Sequence, residues 1–71
     1  MMDEDDLFRE RVSYGLLTFY GERFRPGQLV RVNGWAAGRL LIIKEDRIYI
    51  KKVGWIPIKA IWSMEHIKHM G

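Results

Sequence analysis

The chain has 71 residues, 48% of them hydrophobic and 30% charged, and carries a formal net charge of +3. That is room for one small domain spanning residues 1–71, and a core of this size rarely supplies more than about 3–5 kcal/mol of stability. With no cysteine, disulfide scaffolds, thiolate metal clusters, redox pairs and cysteine nucleophiles are excluded.

The charge is unevenly placed. Residues 1–24 hold six acids and three bases, whereas residues 25–71 hold three acids and nine bases. An acidic head on a basic body points to an anionic partner for the body. The competing reading is structural, with acids starting a helix and lysines guarding strand edges. No apolar run approaches the ~20 residues that span a bilayer. The acidic opening, Met1 to Asp6, is opposite in charge to an export or transit signal. A cytoplasmic protein with no membrane contact is therefore expected.

Residues 3–20 read as an N-terminal helix. Asp3, Asp5 and Asp6 suit its N-cap, and Phe8, Val12, Leu16 and Phe19 or Tyr20 recur at helical spacing. Gly15 inside it marks close packing, and Gly21 suits its C-cap. Pro26-Gly27 then predicts a type II turn. Over residues 26–70 the pattern becomes that of short strands. Gln28 to Val32 is the first, and Asn33-Gly34 turns it. Arg39 to Lys44 is the second, Arg47 to Val53 the third after a Glu45-Asp46 turn, and Trp55 to Lys59 the fourth after Gly54. Pro57 lacks an N–H donor, so that fourth strand is a sheet edge or meets its partner there only in part. Ala60 to Met70 fits a short helix, or a 3₁₀ turn followed by a last strand near Glu65 to Lys68.

The second strand is the informative one. Strict alternation points Leu40 and Ile42 one way and Leu41 and Ile43 the other, so both of its faces are apolar. A small barrel has one interior, and the second face then needs the helix or another subunit to cover it.

A helix followed by such strands resembles the small barrels of the Src-homology-3-like, KOW-type and Sm-like domains. The chain also resembles the YolD-like proteins. The likeness rests on Val30-Arg31-Val32, Gly38-Arg39-Leu40, Asp46, Ile48-Tyr49-Ile50, and Ile56-Pro57 with Ile61. It implies the fold, a mainly β Src-homology-3-like barrel of four to five short antiparallel strands with an N-terminal helix, and no particular activity. The acidic loop that such barrels set beside an aromatic groove for Pro-rich peptides is missing. Sm-like RNA binders carry an Asp-x-Asn motif where this chain has Glu45-Asp46-Arg47.

The chemistry-bearing residues are sparse. His66 and His69 are the only histidines, and two ligands do not make a metal site. Ser13 and Ser63 are the only serines, without a base and an orienting group set around them. Glu45 and Asp46 are adjacent turn residues rather than a general acid/base pair. No catalytic residue, metal or cofactor is expected.

Aromatic and basic residues carry more. Trp35, Tyr49 and Trp55, with Leu41 and Ile43, form the expected partner-binding set; the competing reading is that the tryptophans close the ends of a core too small to do without them. Arg31, Arg39, Arg47, Lys51 and Lys52 lie on the same strands. Aromatic platforms beside cations are how small barrels take single-stranded nucleic acid. The sequence therefore predicts a non-catalytic binding or assembly module, a small accessory or regulatory protein of the kind frequent in bacteria and viruses. It acts through protein contacts or self-association, with nucleic acid as the alternative partner.

Overall fold

The computed structural model describes residues 9–13 and 15–68. Eight strands follow one another: β1 (Glu10–Ser13), β2 (Leu16–Phe19), β3 (Glu22–Phe24), β4 (Leu29–Val32), β5 (Ala36–Ile43), β6 (Arg47–Ile50), β7 (Gly54–Pro57) and, after a 3₁₀ turn (Ile58–Ala60), β8 (Met64–His66). They form two antiparallel sheets, one ordered β1-β2-β3 and one ordered β7-β6-β5-β4-β8.

From Glu10 onward the helix expected over residues 3–20 gives way to the hairpin β1–β2. Residues 3–8 and Tyr14 lie outside the described residues. The reason is local. Tyr20 (φ 48°) and Gly21 (φ 83°) both sit at positive φ between the paired residues Phe19 and Glu22. That is a two-residue turn of type I′ joining β2 to β3, which hairpins favour because its twist matches that of the strands. Gly15, at φ 72° with open space where close packing was expected, stands in the turn between β1 and β2. Leu17 and Phe19 then share one face and are buried, while Leu16 and Thr18 on the other stay half exposed. Period two displaces the helical reading.

Residues 26–68 follow the expected strand order with shifted ends. Pro26-Gly27 makes its turn, Gly27 at φ 98° and Gln28 N–H bonded to the Arg25 carbonyl. The third predicted strand stops at Ile50, and Lys51 and Lys52 pass into the turn before β7. The tail takes the 3₁₀-plus-strand alternative, and β8 returns to pair with β4. Among the described residues β7 and β8 remain the two edges of their sheet, so the sheet does not close on itself.

Ile58 N–H donates to the Asp46 carbonyl (2.9 Å). Alternation along an antiparallel pair then leaves Arg47–Pro57 and Tyr49–Trp55 as the non-hydrogen-bonded positions of β6–β7. The Pro57 nitrogen thus points to the open edge, where no donor is needed.

One core joins the sheets. Leu17, Phe19 and Phe24 come from the first; Val30, Val32, Leu40, Ile48 and Ile50 come from the second. His66 on β8 stacks on Phe24 of β3 with ring centroids 4.3 Å apart. Its Nε2 lies 2.8 Å from the Arg23 carbonyl. A carbonyl only accepts, so Nε2 carries the hydrogen and donates it.

Candidate functional site

The sheet β4–β8 has an inner face on the core and an outer face toward solvent, and a β-bulge in β5 decides what the outer face carries. Leu40 pairs with Ile50, but Ile42 already pairs with Tyr49, so β5 spends one residue more than β6 over this step. The extra residue reverses the alternation. Leu40 and Ile43 turn to the core, whereas Leu41 and Ile42 both turn outward, 40% and 42% exposed. Of the paired expectation for Leu41 and Ile43, the bulge keeps Leu41 outside and packs Ile43 against the core. Ile42 takes the outer position.

Register carries the row onward: Ile42 faces Tyr49, and Tyr49 faces Trp55. Directly opposed residues share a face, and non-hydrogen-bonded pairs approach most closely. Accordingly the Tyr49 and Trp55 rings meet edge-to-face at 5.1 Å and 70°. Trp55 is 44% exposed, and cations attend it. The Arg47 guanidinium lies 4.8 Å and Lys44 Nζ 5.6 Å from its ring, within the range of cation–π attraction. The outer face of β5–β7 is thus an aliphatic–aromatic row with cations beside it.

The other expected cations divide. Arg39 and Lys51 are cross-strand neighbours through the Lys51 N–H bond to the Arg39 carbonyl. The Arg39 guanidinium donates to the Gly27 carbonyl. Arg31 is committed to Glu65 on β8 by an ion pair of 3.0 Å. Lys52 sits at positive φ in the β6–β7 turn.

Trp35 belongs to a separate surface. Asn33 and Gly34, both at positive φ, make the turn that closes on the Trp35 N–H to Val32 carbonyl bond. The Asn33 side chain then ties this turn to the segment before β8. Its Oδ1 accepts from the N–H groups of Trp62 (2.8 Å) and Ser63 (3.2 Å), and its Nδ2 donates to the Ala60 carbonyl (3.0 Å). The two tethered segments each present an indole to water, Trp35 74% and Trp62 69% exposed. The sequence singled out the Asn-Gly turn and Trp35. Asn33 as a tether, and Trp62 as its counterpart, follow only from contacts some thirty residues apart.

A cleft of about 390 Å³ lies between β1 and the 3₁₀ turn, lined by Arg9, Glu10, Arg11, Val12, Glu45, Ile58 and Lys59. Its three bases outnumber its two acids, and its lining offers no hydroxyl, thiol or imidazole. Glu10 Oε2 is buried there without a hydrogen-bond partner. His66 is engaged by Phe24 and Arg23, His69 lies outside the described residues, and no group of three metal-ligating side chains occurs among the described residues. No helix among the described residues is long and apolar enough to cross a membrane.

Comparison with known proteins finds no matching family model, no curated relative and no solved structure.

Proposed function

We propose that this chain is a non-catalytic binding module of the cytoplasm that holds a protein partner with an acidic rim on the outer face of β5–β7. One observation carries the reading. The bulge at Leu41 turns two large aliphatic side chains out of a small core and sets them beside Tyr49 and Trp55. A domain with only about 3–5 kcal/mol from its core sacrifices burial there, which fits a surface that is covered when the partner arrives. Aromatic residues beside Arg are also the commonest anchors of protein interfaces. Lys44, Arg47, Arg39 and Lys51 around the row favour acidic groups on the partner. The likeness to Src-homology-3-like barrels is supported by the five short antiparallel strands and by the bulge that bends the longest of them.

Nucleic acid is the second reading, favoured by the excess of bases in residues 25–71. Base stacking on Trp55 would have to displace the guanidinium already lying 4.8 Å from its ring, which places this reading second. A photo-crosslinking amino acid at Ile42 tests the choice. One defined polypeptide, captured from Ile42 but not from a probe at Arg25 and lost in Trp55→Ala, is expected. Instead, salt-sensitive binding of single-stranded oligonucleotides in about 50 mM salt, with no polypeptide captured, would transfer the assignment to nucleic acid.

A further inference from the structure

We propose that the end of the molecule bearing Trp35 and Trp62 is the contact through which two copies of this chain form a two-fold dimer. Both indoles are more than two-thirds exposed, and among the described residues neither has a ring or cation partner. They are also held in place. The Asn33 side chain bonds to Ala60, Trp62 and Ser63 at 2.8–3.2 Å, and the Asn33 N–H donates to the Ser63 carbonyl at 2.7 Å. Indoles on segments fixed in this way lose little freedom on docking, which favours association.

Charge identifies the occupant. Residues 33–38 and 60–64 contain no charged side chain, while the rest of residues 25–71 carries all nine bases against three acids. Among the described residues, the one cation from outside this stretch that reaches it, Arg9, is bonded to the Lys59 and Ile61 carbonyls. Two copies brought together over the cationic outer face would oppose like charges, a costly arrangement. Over the end bearing Trp35 and Trp62 the one such cation among the described residues is Arg9, half-buried and held by the Lys59 and Ile61 carbonyls. The nearest outer-face cation on β4, Arg31, is already neutralised by Glu65 at 3.0 Å. An acidic partner would be drawn to the cations of β5–β7, so the charge-poor end suits an occupant as poor in charge as itself. A second copy supplies that surface, and a two-fold axis makes the contact self-complementary.

Area is consistent with this. At these exposures two aromatic side chains offer roughly 300 Å² per copy. With the exposed Gly34, Ala37 and Ala60 beside them, a symmetric contact reaches the neighbourhood of the ~1,000 Å² that a specific interface needs.

The proposal does not depend on the outer-face reading, and sedimentation velocity separates them. From about 10 to 500 μM the wild-type chain is expected to pass from monomer to dimer, the range of a micromolar contact. Trp35→Ala/Trp62→Ala, and separately Ala60→Arg at an exposed position, should weaken the dimer by about tenfold or more with unchanged circular dichroism. Trp55→Ala should leave it intact. A wild-type chain that stays monomeric throughout overturns the proposal. So does a dimer indifferent to Ala60→Arg and the double substitution, or one that Trp55→Ala abolishes.

Discussion

Tyr49 and Trp55 oppose each other across β6 and β7 at a non-hydrogen-bonded position, their ring centroids 5.1 Å apart and their planes at 70°. Backbone register thus brings together two aromatic residues that the sequence separates by a turn. Cross-strand aromatic pairs contribute about 0.5–1.5 kcal/mol beyond burial. A double-mutant cycle of Tyr49→Ala and Trp55→Ala in urea should return a coupling energy of that size. A coupling near zero would mean that the rings are neighbours without mutual stabilisation.

Asn33 combines a conformational and a bonding role. Its φ of 55° suits Asn or Gly, and its side chain makes three hydrogen bonds. Asn33→Gly keeps the conformation and loses the bonds, at a cost of about 1–3 kcal/mol. Asn33→Ala loses both and should cost about 1 kcal/mol more. Denaturant midpoints of the two variants test this order. Equal midpoints would show that the left-handed backbone carries no strain here.

Gly38 lies where β5 approaches β6. A Cβ there would stand 2.9 Å from both Ile50 Cγ2 and the Lys51 carbonyl oxygen. The methyl group can shift, but the carbonyl belongs to the backbone that bonds Lys51 to Arg39. Gly38→Ala should therefore destabilise by about 1–3 kcal/mol, against the gain that Gly→Ala brings in an unhindered strand. A raised melting temperature would contradict this.

Glu10 shares a face with Phe19, a core residue directly opposite it, so its carboxylate points inward from the edge strand β1. One of its oxygens lies buried without a partner. An inward acid on an edge blocks further strand addition at a cost in stability. Glu10→Met should raise the melting temperature, by about 1–2 kcal/mol of stability, and make the protein aggregate faster on heating. Light scattering during the melt reads both. A lower melting temperature would show that the acid stabilises the fold.

The strand order of residues 26–68 was legible because Pro26-Gly27, Asn33-Gly34, Glu45-Asp46 and Gly54 are turn residues whose backbone preferences are local. Residues 9–20 were not. Val12, Leu16 and Phe19 fit a helical stripe, and Leu17 with Phe19 fits a strand equally well; Tyr20-Gly21 decides between them, a turn the helical reading took for a C-cap. The bulge was hidden for a different reason. Leu40 to Ile43 are four large aliphatic residues in succession, so the pattern carries no phase and cannot say which of them leaves the core. At the candidate surfaces, Tyr49, Trp55 and Arg47 stand together as strand alternation implies. Ile42, Lys44 and Trp62 depended on the bulge and on long-range tethers.

The Asn33 tether also bears on the order of events in folding. Every other strand pair joins neighbours along the chain, whereas β4 must wait for β8, and Asn33 reaches Trp62 across 29 residues. Such a closure carries more loop entropy than any hairpin here and forms after them. Bonds made after the rate-limiting step act on escape from the native state. A late-closing Asn33 is a kinetic clasp: in stopped-flow experiments its loss should quicken unfolding and leave the folding rate nearly unchanged, whereas slowed folding would put the β4–β8 closure in the rate-limiting step itself.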